Sequence, residues 1–255
     1  MRYLPIGYLL FVVASAFFAP QLAPHQSHEI VAIPYSPPND DYLLGTDSLG
    51  RDVLSRMLYG GRRTLLVSGL ATLLVVMPGT CLGVLAGISQ NWLDKIIQVI
   101  VNTMLAIPSL MLALVIITLG GRGIIQLVLA TGLSLIPLYV QVSRAATRQM
   151  IHQDYIEGAF AVGASWWGVF TRHIFPNVLP VLLNYASVIF SYCLISSAAL
   201  SFLGLGGEPG IPDWGVMLAE GRSAFRSAPW LGIIPGLAIF LTVFSVNFLL
   251  AQSSE

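Results

Sequence analysis

The sequence Thr64–Leu93 reads TLLVSGLATLLVVMPGTCLGVLAGISQNWL and contains no charged residue. A helix needs about 20 predominantly apolar residues to cross a hydrocarbon core of about 30 Å. This run is longer than that and is rich in Leu and Val, so it predicts a helix that spans a membrane.

Five further charge-free runs are long enough to span a membrane, and they lie on both sides of the first one. They are Tyr3–Pro24, Ile96–Gly121, Gly123–Ser143, Ile174–Gly207 and Ser227–Leu250. The predicted fold is an all-α, polytopic transmembrane bundle with six transmembrane helices. Residues 1–63 are expected to hold the first span and an external amphipathic segment, and residues 64–250 a core of five helices.

The first run is also compatible with a secretory signal peptide. Arg2 precedes it, and Ala14, Ser15 and Ala16 resemble a cleavage site. The apolar run is longer than the 7–15 residues typical of a signal peptide, which favours a retained span.

Composition supports a membrane location. Charged residues make up 9% of the chain, against about 25% in a soluble domain, which leaves too few charges to cover a soluble surface. The net charge is zero and no basic tract occurs, so nucleic acid is not an expected partner. Cys81 and Cys193 lie in apolar runs, where packing is a better expectation than a disulfide or a metal site.

Prolines interrupt five of the runs, and neighbouring helices or water in a cavity can satisfy the carbonyls that they free. They are Pro78, Pro108, Pro137, Pro180 and Pro235. Ordinary kinks and a pathway that opens and closes both account for them.

The distribution of arginine and lysine does not settle the orientation. With the N-terminus inside, five of these residues fall on the cytoplasmic side and seven on the other, so the positive-inside rule is not satisfied.

The first of three informative polar segments precedes the second span. Asp47 or Thr46 is a suitable helix N-cap, and Gly60 and Gly61 are a natural stop. On a helical wheel the residues between them separate into an apolar half and a polar half; the polar half contains Arg51, Asp52, Ser55, Arg56 and Tyr59. The pattern predicts an amphipathic helix at the membrane surface, either as a simple anchor or as a docking element for an external partner.

The second segment, about residues 150–180, follows the fourth span. It begins with polar residues and continues with small ones, which allow another surface to approach closely. Gly163 is placed to end a helix, and Pro176 and Pro180 are placed to mark the entry to the next span. A tether would need fewer residues, so an interaction element is expected.

The third segment, Ser201–Met217, is rich in Gly and Pro and predicts a structured turn between the last two spans. Asp213 and Trp214 are expected to anchor this turn at the membrane interface.

Together these segments resemble the permease subunits of binding-protein-dependent ABC importers, in particular the C-type subunit of the dipeptide, oligopeptide and nickel group. The matching motifs are GTDxxGRDxxSR at residues 45–56, EGAxxxG at 157–163 with IxPN at 174–177 and Pro180, SFLGLG at 201–206, and PDWGxM at 212–217. The resemblance covers about residues 42–248 and implies the fold of a type I ABC importer permease.

The resemblance further implies that the second segment is the family's cytoplasmic coupling loop, which sits in a groove of an ATPase subunit. Its candidate contact residues are Tyr155, Glu157, Gly158, Ala159, Gly163, Pro176 and Pro180. The N- and C-termini would then be cytoplasmic, and the first and third segments would face a solute-binding protein outside the bacterial inner membrane. The candidate docking residues are Asp47, Arg51, Asp52, Arg56, Asp213 and Trp214.

The partners implied are a second homologous permease, one or two cytoplasmic ABC ATPases, the solute-binding protein and the lipid bilayer. Lys95 is the only lysine and no P-loop occurs, so ATP and Mg²⁺ would be bound by the ATPases and not by this chain. Candidate pathway residues are Asn102, Ser197 and Ser201.

Two other classes of protein are less compatible with the sequence. A self-contained secondary transporter or channel would need charges within its spans for ion coupling, and the six runs contain none. A membrane enzyme would need clustered catalytic or metal-ligating residues, so no catalytic residue and no metal ligand is predicted. For the cargo, peptide is preferred, with nickel or a metal chelate as the alternative.

Overall fold

In the computed structural model the chain is a bundle of helices, and the residues described are 3–89, 91–206 and 210–253. Within them the only β-pairing is two isolated bridges, which join Ile30 to Arg51 and Thr46 to Asp52. The helices are α1 Tyr3–Phe17, α2 Ala19–Leu22, α3 Val53–Ser89, α4 Trp92–Leu105, α5 Ser109–Gly120, α6 Ile124–Ile151, α7 Asp154–Ala161, α8 Trp166–Val169, α9 Phe175–Phe202, α10 Trp214–Ser223 and α11 Trp230–Ser253. The predicted all-α bundle is confirmed.

Four continuous helices in the described part of the chain are long and apolar enough to cross a membrane. They are Val53–Ser89, Ile124–Ile151, Trp166–Phe202 and Trp230–Leu250. A fifth span is formed if α4 and α5 count as one, although they meet at a bend of 87°. The apolar helix Leu4–Phe17 is shorter than these, so the sixth span remains a prediction.

The bend between α4 and α5 occurs at one of the prolines identified in the sequence. Pro108 is the residue before α5, and its ring prevents the helix from continuing. Pro78, Pro137 and Pro235 instead lie inside continuous helices. The run Ile96–Gly121 is therefore a broken span, whereas the other prolines leave their helices intact.

The most extensive contact between two helices joins α3 to α6, and it depends on glycine. A Cβ atom added at Gly79 would lie 2.8 Å from Cδ1 of Tyr139, and one added at Gly87 would lie 2.7 Å from Cβ of Thr147. Gly83 faces Ser143 in the same way. Glycines four residues apart let two membrane helices approach closely, so this stripe fixes α3 against α6.

The segment before α9 differs from the prediction. Pro176 and Pro180 were expected to mark the start of a span, but the helix begins at Trp166 and passes through one π-helical turn at Phe170–Ile174. Pro176 stands in the first turn of α9, and Pro180 lies inside it. The wider π-helical turn lets the chain continue as a helix into the two prolines.

The two ends of the bundle carry different structures. At 1.5 Å per residue α3 is about 55 Å long, well beyond the hydrocarbon core of about 30 Å. Its last turns lie against the last turns of α6, through Gly87 and Thr147, and α7 follows directly. The segment before α3 therefore lies at the opposite end from α7.

Some predicted features lie outside the described residues. These are Arg2, Gln90 within the first quoted run, residues 207–209 of the third polar segment, and residues 254 and 255. The division between residues 63 and 64 stays a prediction, and α3 continues across it.

Candidate functional site

The predicted coupling loop contains a short helix, α7, whose one fully buried side chain is that of Ile156. Ile156 is completely buried and packs in the same cluster as Val169, Ile174 and Val178. One apolar anchor in a helix of eight residues fixes its position while leaving most of its surface free.

Ala159 is half-buried against the same cluster, and most of the rest of α7 faces away from the bundle. Tyr155 is 48% exposed and Phe160 is 42% exposed, and Glu157 and Gly158 are also exposed. A Cβ atom added at Gly158 would meet nothing within 4 Å. The helix thus presents aromatic, acidic and small residues together, with open space in front of them.

Gly163 ends α7, as predicted. It has φ of +88°, a left-handed conformation that favours glycine, and the amide of Ala164 donates to the carbonyl of Ala159 at 3.1 Å. Ser165 then accepts from the amide of Gly168 at 3.2 Å and starts the next helix.

An exposed aromatic group adjoins α7. Trp166 is 45% exposed and Trp167 is 73% exposed, and both rings lie 5.7 Å from the ring of Phe170. Phe160 of α7 contacts Trp166 at 6.3 Å between ring centroids. These contacts make α7 and the start of the next span one connected surface.

An ion pair that the sequence analysis did not predict lies near this end of the bundle. Arg144 of α6 donates from Nε and from a terminal nitrogen to the two oxygens of Asp94 on α4, at 2.6 and 2.7 Å. Arg148 lies 3.6 Å from the same carboxylate. A bidentate pair of this kind fixes direction as well as distance, so it holds the broken span to α6.

The prediction of an amphipathic surface helix at the other end of the bundle is wrong. The helix starts at Val53 rather than near Asp47, and it runs through Gly60 and Gly61 without stopping. Its polar side is buried: the exposed fraction is 5% for Arg51 and 1% for Arg56. The polar face therefore packs inward and does not lie on a membrane surface.

The buried charges are neutralised by one another. The carboxylate of Asp47 accepts from Nε of Arg51 at 2.7 Å and lies 2.8 Å from a terminal nitrogen of Arg56. The carboxylate of Glu220 on α10 accepts from a terminal nitrogen of Arg56 at 2.7 Å and from a terminal nitrogen of Arg51 at 3.3 Å. We call Asp47, Arg51, Arg56 and Glu220 the ion cluster. Asp52 is outside it and caps α3 by accepting from the amide and hydroxyl of Ser55 at 2.9 and 2.6 Å.

Glu220 was missed because it lies 164 residues from Arg56. A partial signal was present: arginines need carboxylate partners if they are buried, and a chain with 12 acidic residues offers few candidates.

The prediction that Asp213 and Trp214 anchor the membrane interface is also wrong. Their exposed fractions are 4% and 3%, because α10 packs against the first part of α3. A Cβ atom at Gly61 would lie 2.9 Å from Cζ2 of Trp214, and one at Gly60 would lie 3.3 Å from Cα of Asp213. The two glycines allow this close approach rather than ending a helix.

Asp213 caps α10 by accepting from the amide of Val216 at 2.9 Å. Burial raises the pKa of the Asp213 carboxyl, while the Val216 amide, the Ser201 hydroxyl and Arg63 act in the opposite direction. The carboxyl group thus keeps its proton more readily than an exposed aspartate.

The three candidate pathway residues have different surroundings. Asn102 is exposed on α4 and accepts from Nε2 of Gln141 on α6 at 3.0 Å. Ser197 and Ser201 are buried on α9, on the side facing Asp213. Their role in a pathway remains a prediction. Among residues 3–89, 91–206 and 210–253, no group of three or more His, Cys, Asp or Glu side chains is arranged to hold a metal.

Comparison with known proteins identifies the family. Residues 79–254 match the family described as "Binding-protein-dependent transport system inner membrane component". The chain belongs to this family. It is a membrane-embedded permease subunit of a transport system.

Three relatives of this permease illustrate the similarity. The di/tripeptide transport system permease protein DppC of Pseudomonas aeruginosa is 37% identical over 95% of this chain and 82% of its own length. The glutathione transport system permease protein GsiD of Pectobacterium atrosepticum is 37% identical over 95% of this chain and 81% of its own length. The dipeptide transport system permease protein DppC of Escherichia coli K12 is 39% identical over 95% of this chain and 83% of its own length.

A solved structure supports the fold of the permease. The MetNI methionine ABC transporter in an inward-facing conformation matches with a TM-score of 0.64 at 18% identity, over 78% of this chain and 94% of that one. At this identity the match concerns the architecture alone.

Proposed function

We propose that this permease forms half of the translocation pathway of an ATP-driven importer for peptides, which a solute-binding protein delivers. The observation that carries the proposal is α7, a short helix anchored by Ile156 with most of its remaining surface exposed. Such a helix is suited to enter a groove of another protein. Its partner in this proposal is a cytoplasmic ATPase.

Movement of α7 would reach the bundle along two routes. Ile156 packs against the start of the helix that contains α9, so a push on α7 bears directly on that span. The helix also follows α6, which holds α4 through the pair of Arg144 and Asp94. ATP-driven closure of the ATPases would thereby change the positions of both the continuous and the broken spans.

The proposed orientation follows from this assignment. The end of the bundle that carries α7 faces the cytoplasm, and the end that carries the ion cluster faces outward. In the chain, α1 leads toward the outward end and α11 leads away from it, so both termini belong on the cytoplasmic side. A second, homologous permease completes the pathway.

Peptide is the proposed cargo because all three relatives described above are named for peptides or for glutathione, which is a tripeptide. No observation on the described residues favours the nickel alternative.

Two linked measurements test the proposal. The tagged permease, purified in mild detergent, is expected to bring with it a second permease and one or two P-loop ATPases, and replacing residues 157–163 by a scrambled sequence should remove the ATPases. The complex in liposomes should take up labelled dipeptide but not nickel when ATP and the binding protein are supplied. Uptake by this chain alone would contradict the proposal.

A further inference from the structure

The segment before α3 forms a compact loop at the end of the bundle opposite α7. We call residues 23–52 the cap loop. The amides of Val31 and Ala32 both donate to the carbonyl of Gly50, at 2.9 and 3.1 Å, and Ile30 pairs with Arg51 in an isolated bridge. The two halves of the loop therefore run side by side.

Side chains fix the loop to itself and to the bundle. The hydroxyl of Thr46 donates to the carbonyl of Ile33 at 2.7 Å, and the amide of Tyr35 donates to the carbonyl of Asp47 at 3.0 Å. Asp47 belongs to the ion cluster, which reaches α3 and α10. A surface built on this loop is therefore held in one arrangement before any partner arrives.

Four large aliphatic side chains of the cap loop are left uncovered. Their exposed fractions are 70% for Ile30, 77% for Ile33, 64% for Leu43 and 54% for Leu49. Three of them, Ile30, Ile33 and Leu49, belong to or adjoin the paired segments, so they occur on one folded unit.

The exposed charges of the cap loop have a single sign. Glu29, Asp40 and Asp41 are exposed, whereas Arg51 is the only Arg or Lys between residues 23 and 52 and is buried in the ion cluster. The turn that carries the two aspartates is fixed, because Oδ1 of Asn39 accepts from the amides of Asp41 and Tyr42 at 3.0 and 2.8 Å. The exposed apolar residues thus share their loop with an acidic group.

We infer that the cap loop is the docking surface for the solute-binding protein and that it takes a lobe with apolar residues at its centre and Lys or Arg at its rim. This inference rests on the proposed function. It moves the docking site from the predicted residues, which are buried, to side chains that a partner can reach.

Charge argues against two other possible occupants. An anionic lipid surface would be repelled by Glu29, Asp40 and Asp41, and a second copy of this chain would place like charges against each other. A protein with a basic rim meets attraction at the acidic residues and buries the apolar ones, which is the usual arrangement of a protein interface.

The test uses the assembled importer in nanodiscs and titrates it with its solute-binding protein while ATP hydrolysis is measured. Ile33→Asp and the pair Asp40→Lys/Asp41→Lys should each raise the binding-protein concentration for half-maximal stimulation by about tenfold. Ile33→Leu, which keeps the apolar area, should leave that concentration near the wild-type value. Size-exclusion chromatography of each complex separates lost docking from lost assembly.

Salt provides a second reading of the same surface. Half-maximal stimulation of the wild type should need more binding protein as salt rises, and the pair Asp40→Asn/Asp41→Asn should flatten this dependence.

Unchanged half-maximal concentrations in both Ile33→Asp and the lysine pair would overturn the inference while leaving the importer intact. An effect that follows the lipid composition of the nanodisc, or two copies of this chain joined through the loop, would overturn it in favour of those occupants. A wild-type complex that the binding protein never stimulates would overturn the proposed function as well.

Discussion

The guanidinium group of Arg56, at the start of α3, donates to the carboxylate of Glu220 on α10 at 2.7 Å. Arg56 is 1% exposed, and Asp47 supplies its second carboxylate. This contact fastens α10 and the cap loop to α3 at one point, so charge adds to the apolar packing of α10 against α3 at the end of the bundle opposite α7.

Removing the carboxylate of Glu220 should destabilise the permease. In Glu220→Gln the buried Arg56 keeps only Asp47, and because Glu220 is itself partly exposed we expect a loss of about 1–3 kcal/mol. Thermal unfolding of the protein in detergent measures this loss. Arg222→Gln on the same helix is the control, since Arg222 is exposed, and it should unfold near the wild-type temperature.

The pair can also be tested as a unit. If Arg56→Met restores part of the stability lost in Glu220→Gln, the cost came from an unpaired buried charge. A loss of stability in the double variant equal to the sum of the losses in the two single variants would show that the residues do not act on each other.

Glycine at the contact of α3 and α6 is expected to be required for close packing. Gly79→Ala would place a methyl group 2.8 Å from the ring of Tyr139, so we expect a loss of about 1–3 kcal/mol. Gly69→Ala is the matched control on the same helix, because an added Cβ there meets nothing within 4 Å. Similar unfolding temperatures for the two variants would contradict the assigned packing.

Lysine should not replace Arg144. The bidentate pair with Asp94 requires a planar guanidinium group, and Arg144→Lys loses one of the two hydrogen bonds, at a cost of about 1–2 kcal/mol. ATP-driven uptake by the reconstituted complex should fall, since α4 is then held less firmly to α6. Arg122→Lys, at an exposed position, serves as the control and should keep full uptake.

The buried carboxyl group of Asp213 predicts a dependence of stability on pH. Because burial raises its pKa in the folded state, the folded chain binds this proton more tightly than the unfolded chain does. Its contribution is therefore fully present below the ordinary pKa of aspartate and is lost as the pH rises through the folded pKa.

Asp213→Asn should remove this part of the pH dependence while keeping the oxygen that accepts from the amide of Val216. Asp213→Ala should lose about 1 kcal/mol in addition, because the cap of α10 is gone. Unfolding temperatures measured from about pH 4 to about pH 8 separate the variants. A wild type and an Asn variant with parallel pH profiles would count against a raised pKa.

The spans were predictable from sequence because a bilayer requires long apolar runs without charge, and the charge-free runs Thr64–Leu93 and Gly123–Ser143 lie mostly within α3 and α6. Gly163 was predictable for a local reason, since the residue that ends α7 needs a left-handed conformation. In both cases the deciding property lies within a few turns of chain.

The polar segments were harder to interpret because periodicity shows that a helix has two faces but not which face is buried. Arg51 and Arg56 suggested a solvent-facing side, and the distant Glu220 joins Asp47 in making their burial possible. Trp214 similarly suggested a membrane interface, and its burial depends on the absence of side chains at Gly60 and Gly61. Contacts between segments about 150 residues apart decided these positions.

In the proposed importer α7 couples this permease to an ATPase, and a substitution at Gly158 probes that contact. A Cβ atom added there meets nothing within 4 Å, so the chain itself leaves room for a side chain at this position. In liposomes that contain the whole importer, Gly158→Ala should retain most ATP-driven dipeptide uptake, and Gly158→Trp should abolish it while the permease still inserts and unfolds normally. Full uptake by Gly158→Trp would contradict the claim, because no partner surface could then lie against α7.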